Sequence, residues 1–155
     1  MTIYLKEATV EDVDLLFEWV NEKLVRKSAF NSNTIAYGEH TEWFFHSVES
    51  PNCRIFIGYD DDNPIGQIRI DLEDDKAVID YSVDSHYRGK GYGVLLLEAL
   101  ENEVRYSLKQ VKQIVGKVKF SNISSQRTFN RSGYITENKN ECILFYKKLG
   151  GYLNE

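Results

Sequence analysis

Apolar positions along the 155-residue chain switch between a period of two and a period near 3.6, and the switches divide it into elements. Residues 2 to 8, TIYLKEA, read as a first strand. Thr9 and Asp12 then stand at capping-box spacing. Val13, Leu16, Phe17, Val20 and Leu24 follow at helical spacing. Residues 26 to 38, RKSAFNSNTIAYG, carry no clean period and read as a loop. A second helix is predicted over Glu39 to Ser47, with Trp43, Phe44 and Val48 inward, and Pro51-Asn52 ends it.

Three strands follow. CRIFIGY (53 to 59) and IGQIRIDL (65 to 72) flank the turn DDDNP as a hairpin. After a second acidic turn, EDD, KAVIDYSVD (76 to 84) puts Ala77, Ile79, Tyr81 and Val83 on one face. Val78, Asp80, Ser82 and Asp84 fall on the other. A helix is predicted from Gly91 to Lys109, with Leu97, Leu100, Val104 and Leu108 on one stripe. QIVGKVKF (113 to 120) reads as a buried strand, and SSQRTFNRS as a short helix that Gly133 caps. YITE and ECILFYKK close the chain as strands. The order β-α-α-β-β-β-α-β-α-β-β is a mixed α/β (α+β) layout: a central sheet, hairpins early and late, and helices crossing over. No repeat or linker interrupts it, so residues 1 to 155 are expected to form a single domain.

Composition narrows the function. At 42% hydrophobic and 28% charged residues, the chain is ordinary for a globular protein. No apolar run approaches the ~20 residues that span a bilayer. The opening MTIYLKEATV lacks the basic start and apolar stretch of a signal peptide, so a cytoplasmic location and no membrane partner are expected. A net charge of −5 argues against nucleic acid as a partner. Cys53 and Cys142 are expected as buried free thiols. His40, His46 and His86 have no second ligand at metal spacing, and no metal is expected.

Against this acidic background, one basic stretch stands out. DSHYRGKGYG (84 to 93) sets Gly89, Gly91 and Gly93 around Arg88 and Lys90, between a strand and a helix. Such a turn offers unpaired backbone N–H groups and the positive end of the helix dipole, which suit a phosphate. The dinucleotide fingerprint fails here, because after Gly89 and Gly91 its third glycine position holds Val94. The Walker pattern also fails. The stretch fits R-x-x-G-x-G, through Arg88, Gly91 and Gly93.

At this point YSVDSHYRGKGYGVLLLEAL resembles the pyrophosphate-binding motif of the GNAT superfamily, the acetyl-CoA-dependent N-acetyltransferases. About thirty residues on, NISSQRTFNRSGYI resembles the family's N-x-x-S/A-x-x-x-Y-x-x-x-G-F pattern, through Asn122, Ser125, Phe129, Gly133 and Tyr134. The resemblance covers nearly the whole chain. It implies the GNAT fold, a central mixed and mostly antiparallel sheet flanked by helices, with acetyl-CoA as cofactor. Backbone groups of Tyr81, Ser82 and Val83 would then bond the thioester carbonyl and pantetheine. Backbone N–H groups of Arg88, Gly89, Lys90, Gly91, Tyr92 and Gly93 would cradle the pyrophosphate, with the Arg88 and Lys90 side chains reaching its oxygens. Asn122 would bond the pantetheine or a water. Ser125 would lie near the cofactor sulfur or pack its helix. The resemblance also admits a homodimer through apolar terminal strands.

The chain departs from the family at two catalytic positions. Phe129 stands where many relatives carry a tyrosine acid, and Lys117 where some carry a glutamate base. Tyr134 remains as an acid candidate, against a role in core packing. Asp80 is the preferred base, with Glu39, His40 and Glu42 as rivals and His86 as a surface residue. In this fold the first helices shape the acceptor pocket. EWVNEKLVRKSAFNSNTIAYGEHTEWF resembles the pattern of bacterial amino-sugar N-acetyltransferases of pseudaminic-acid-type pathways, which act on nucleotide-linked 4-amino sugars. Arg26, Phe30, Asn31, Ser32, Glu39 and His40 are its candidate acceptor-binding residues. The partner is thus expected to be a small-molecule amine. A protein N-terminus, a polyamine, and a non-catalytic acyl-CoA-binding module are the alternatives.

Overall fold

The computed structural model of the chain describes residues 1–149. Residues 150–155, the end of the expected domain, lie outside it. The strands are β1 (Tyr4–Glu7), β2 (Cys53–Asp60), β3 (Asn63–Glu73), β4 (Lys76–Val83), β5 (Gln113–Val118), β6 (Ile135–Asn138) and β7 (Ile143–Lys148). The helices are α1 (Val13–Val20), α2 (Lys23–Ser28), α3 (Tyr37–Glu49), α4 (Tyr92–Ser107) and α5 (Ile123–Arg131). The strands form one seven-stranded sheet in the order β1-β2-β3-β4-β5-β7-β6. Every pairing is antiparallel except β4 with β5. The expected mixed, mostly antiparallel sheet is what forms.

The two sheet faces bury separate cores. On one, α4 packs Leu96, Leu97, Leu100 and Val104 against Ile68, Ile70, Ala77 and Ile79, and α5 adds Phe129. On the other, Leu16 and Trp19 of α1 and Phe44 of α3 cover Ile55 and Ile57 of β2. Both acidic hairpin tips are two-residue turns, and Asp61 (φ 53°) and Asp74 (φ 57°) take the left-handed conformation such turns require.

The capping box forms as the sequence predicts: Thr9 N–H donates to Asp12 at 2.8 Å, and Glu11 N–H to the Thr9 hydroxyl at 3.3 Å. The helix it opens is shorter than its apolar spacing suggests. It ends at Asn21, Glu22 turns extended (φ −62°, ψ 141°), and the Glu22 side chain caps a separate helix, α2. Leu24 therefore does not continue the apolar stripe and is exposed. Part of the expected loop, through Ser28, is this helix. Trp43 is also not inward. It is 41% exposed, and the Arg69 guanidinium sits 5.2 Å over its ring. Cys53 and Cys142 are free but only half-buried. Burial, followed by the neighbouring Asp71, pushes the Cys53 thiol up to about 11. No helix of the described residues is long and apolar enough to cross a membrane.

The sheet has one internal discontinuity. The β4–β5 ladder runs from Lys76↔Gln113 to Ile79↔Gly116 and stops. Beyond it β4 pairs only with β3, and β5 only with β7. The Phe129 ring lies under the last rung. It stacks on Phe145 at 4.9 Å and meets Tyr134 and Tyr81 edge-on at 5.0 and 5.8 Å. A Cβ on Gly116 would stand 2.5 Å from Phe129. Phe129 is 2% exposed and enclosed by those rings, so it has no room to withdraw. Gly116→Ala is therefore expected to destabilise the fold by about 1–3 kcal/mol through overpacking. In thermal unfolding each kcal/mol would lower Tm by roughly 2–4 °C for a domain of this size. An unchanged Tm would show that the ring is not confined.

Candidate active site

The discontinuity leaves one edge of β4 open from Asp80 to Val83. The alternation of an antiparallel ladder decides which groups face the opening. Asp84 N–H donates to Ile65 C=O at 2.8 Å, so Asp84, Ser82 and Asp80 turn their main chains toward β3. Tyr81 and Val83 turn theirs to the gap. Of the three residues expected to offer backbone groups there, Tyr81 and Val83 do, and Ser82 does not. The Ser82 hydroxyl instead accepts a hydrogen bond from Gln67 Nε2 at 3.2 Å. The Val83 carbonyl already accepts from Arg88 Nε at 3.0 Å. The groups left open are thus the Tyr81 N–H and C=O and the Val83 N–H, spaced as one rung for an extended chain.

At the end of this edge the glycine-rich turn opens α4. Gly89 (φ +75°) and Gly91 (φ +91°) take conformations that cost an L-residue about 1–2 kcal/mol, and nothing lies within 4 Å of a Cβ at Gly89. Gly93 serves a different purpose. Its Cβ would meet Thr128 of α5 at 3.2 Å and Tyr81 at 3.5 Å, so glycine lets the first turn of α4 approach α5. The Tyr92 side chain faces away from the turn: it is buried and its hydroxyl donates to Asp60 at 2.5 Å, leaving only its main chain at the turn. That contact and burial push its pKa up to about 12.

The two basic side chains of the turn differ. Lys90 is exposed, with its Nζ 5.8 Å over the Tyr87 ring. Arg88 forms an ion pair with Glu22 as well as its bond to Val83. Expected at the phosphate, Arg88 instead ties the turn to the start of α2. Across the gap, Asn122 caps α5, accepting from Ser125 N–H at 3.1 Å. Ser125 shares a 2.9 Å hydrogen bond with the Tyr81 hydroxyl. Burial raises the Tyr81 pKa against the opposing pull of Ser125 and Thr128.

An edge that lacks a partner strand, a positive-φ glycine turn at a helix start, and the asparagine that caps α5 across the gap together outline a candidate groove. A family model described as Acetyltransferase (GNAT) family matches residues 14–134. The chain belongs to the GNAT acetyltransferase family. It is 26% identical over 96 residues to YfmK of Bacillus subtilis (strain 168), an uncharacterized N-acetyltransferase; the match spans 62% of this chain and 64% of that one, just under two thirds of the relative. Its fold is similar to spermidine N-acetyltransferase from Vibrio cholerae in complex with CoA and spermine, with TM-score 0.85, 15% identity and 99% of each chain covered. It is also similar to the aminoglycoside acetyltransferase AAC(6')-Ib in complex with ribostamycin and coenzyme A, with TM-score 0.83 and 17% identity over 96% of this chain and 94% of that one.

The remaining candidates of this GNAT chain divide between site and core. Asp80 is exposed on the sheet face opposite α4 and α5, and accepts a long 3.4 Å hydrogen bond from Gln67. Tyr134 is buried behind Phe129, with Lys147 Nζ 5.0 Å from its ring centroid. Burial and then the Glu101 charge raise its pKa. That places it in the core between α4, α5 and β7 and not at the open edge. His40 is 3% exposed, and its Nε2 donates to Val13 C=O at 3.0 Å among Phe17, Trp43 and Phe44. Burial lowers its pKa, and the ring joins α3 to α1 inside the core. Glu39 is exposed in the first turn of α3.

Arg26 and Ser32 lie together in an open cleft of about 500 Å³ between α2, the loop after it and Lys119. Asn31 contributes through its main chain, accepting from Arg26 Nη1 at 3.0 Å, while its side chain accepts from Asn33 N–H at 3.1 Å. Phe30 is 58% exposed. The sequence reading missed Lys23, Lys27 and Lys119 in this cleft, and Glu22 on Arg88. The available signal was Lys23, Arg26 and Lys27 at i, i+3, i+4, one face of a helix that the loop reading hid.

Asp84 joins α1 to the groove. Its carboxylate accepts from the Trp19 indole at 2.8 Å and from His86 N–H at 2.8 Å. Burial opposes its charge, but these bonds and the His86 side chain outweigh it and hold the pKa below the ordinary 3.8. Its stabilising contribution is therefore present above that unfolded value and lost as pH falls through the lower folded one. Asp84→Asn is expected to cost about 1 kcal/mol at pH 7 and progressively less as pH falls below 3.8, read by urea unfolding across that range. An equal loss at every pH would show that charge is not what matters.

Proposed function

We propose that the chain transfers the acetyl group of acetyl-CoA to a primary amine of a small acceptor, an amino sugar. The observation that carries this is the parting of β4 from β5 directly above the glycine turn. The open Tyr81 and Val83 main chain fits the amides of a pantetheine arm, and the N–H groups at the start of α4 fit its pyrophosphate. Asn122 and Ser125 border the same groove. The amine nitrogen attacks the thioester carbonyl, the C–S bond breaks, and coenzyme A leaves as thiolate. Asp80, exposed on the acceptor side, takes the proton the amine gives up. With phenylalanine at position 129, the thiolate leaves without a tyrosine acid and is protonated from solvent. Most of the rate then comes from holding amine and thioester in line. The acceptor class rests on Arg26 and Ser32, which line the cleft of α2, and on Asn31, whose main-chain carbonyl holds Arg26.

Calorimetric titration with acetyl-CoA tests the cofactor part. Wild type is expected to bind in the micromolar range, and Gly91→Trp, shown folded by circular dichroism, to lose binding at least tenfold. A thiol-release assay with amino-sugar acceptors then reads turnover, and Asp80→Asn is expected to lower kcat by about 10²-fold or more. Wild type that binds no acyl-CoA would overturn the reading. Binding without turnover on any amine would leave a non-catalytic acyl-CoA module instead.

A further inference from the structure

We propose that Lys117 is a self-acetylation site: with no acceptor amine present, the chain transfers the acetyl group of bound acetyl-CoA to its own Lys117 Nζ. This rests on the acetyl-transfer reading and goes beyond it. The last rung between β4 and β5 joins Ile79 to Gly116, so Asp80 and Lys117 are the next residues, one on each side of the parting. Alternation fixes their faces. Ile114, Gly116 and Val118 turn toward α4 and α5, where Ile114 and Val118 join the core and Gly116 lies against Phe129. Lys117 therefore projects from the other face, the one that carries Asp80. An arm whose pyrophosphate sits at the glycine turn runs back along β4 past Val83 and Tyr81. Its thioester end then arrives where the strands part, next to Asp80 and Lys117.

The Lys117 amine is not engaged elsewhere. It is exposed, and among the described residues it pairs with no carboxylate. Its partner on β7 is Leu144, which offers no charge. Nearby lysines are held: Lys119 Nζ donates to Lys27 C=O at 3.0 Å, and Lys147 Nζ to Glu101 at 2.7 Å and to Ser132 C=O. In the step, a Lys117 amine that has shed its ammonium proton to solvent attacks the thioester carbonyl carbon. The C–N bond forms, the C–S bond breaks, and coenzyme A leaves as thiolate. The attacking nitrogen gives its surplus proton to Asp80, and the thiolate takes one from solvent. No co-reactant beyond acetyl-CoA is needed. The product is a neutral N-acetyl-lysine, so a positive charge disappears from the mouth of the gap. Because the amine is tethered to a strand that borders the thioester, the step is unimolecular, which separates it from slow acetylation of surface lysines by free acetyl-CoA.

The test incubates the full chain with acetyl-CoA and no added amine, and follows each lysine by digestion and mass spectrometry over time. Lys76 and Lys109, exposed at the ends of β4 and α4 away from the gap, report the uncatalysed background. Lys117 is expected to be acetylated about tenfold faster than either, or more, at a first-order rate that does not change with protein concentration. Gly91→Trp, shown folded by circular dichroism, is expected to bring Lys117 down to the background rate. Lys117→Arg is expected to take up no acetyl group at the fast rate anywhere else. With acetyl-CoA binding confirmed by calorimetry, a Lys117 rate equal to that of Lys76 and Lys109 would overturn this proposal alone. Fast modification at another lysine instead, a rate that rises with protein concentration, or an undiminished rate in Gly91→Trp would overturn it too. Wild type that binds no acetyl-CoA would remove the acetyl-transfer reading as well.

Discussion

The structure turns on where a parallel pairing ends. β4 and β5 hold each other only as far as Ile79 and Gly116. From there each strand keeps one neighbour and loses the other. An open edge inside a sheet exposes main-chain donors and acceptors that must find partners. The molecule satisfies part of this itself, through Arg88 on the Val83 carbonyl. The rest is left for something extended and rich in amides. Phe129 makes the parting possible: it fills the space beneath Gly116, and Tyr81 leans on it while reaching Ser125. The phenylalanine that stands where many relatives carry an acid is also the ring that packs beneath the last β4–β5 rung.

How much of this the sequence discloses depends on the range of the interactions involved. The strands with clear alternation, the two acidic hairpin tips and the glycine turn are encoded locally, and they sit where the pattern puts them. The break between α1 and α2 is not encoded that way. Its apolar spacing continues through Leu24, but Asn21 spends its side chain on both main-chain groups of Ile35, at 2.8 and 2.9 Å. That distant bond stops the helix and folds the following loop back. Propensity and period see only neighbours, so a cap made across fourteen residues is invisible to them. Face assignment along β4 was legible from alternation. Which main-chain groups face the gap was not, because that needs the register with β3.

Side-chain roles were the least legible. His40, Tyr134 and Arg26 are equally polar in a sequence, yet burial separates them. His40 is enclosed by aromatic rings and Tyr134 by the core under α4 and α5, while Arg26 lies in the open cleft. Each position in the motif resemblance carried a residue type but not its surroundings. For that reason the resemblance could name residues at the turn and the strand edge but not the burial that sets His40 and Tyr134 apart.

Charge ties the two halves of the site together. Arg88 belongs to the cofactor turn by sequence, but its charge is neutralised by Glu22. An anion at the turn would therefore meet mainly its backbone N–H groups, the α4 dipole and Lys90. Glu22 has the opposite effect on the cleft beside α2: with its carboxylate turned to Arg88, Lys23, Arg26 and Lys27 pair with no carboxylate among the described residues. One ion pair thus subtracts positive charge from the turn and leaves it in the cleft. It also fixes α2 against the glycine turn. The wall of that cleft is in this way positioned by Arg88, the same residue that closes the end of β4, so the cleft and the turn cannot be shaped independently.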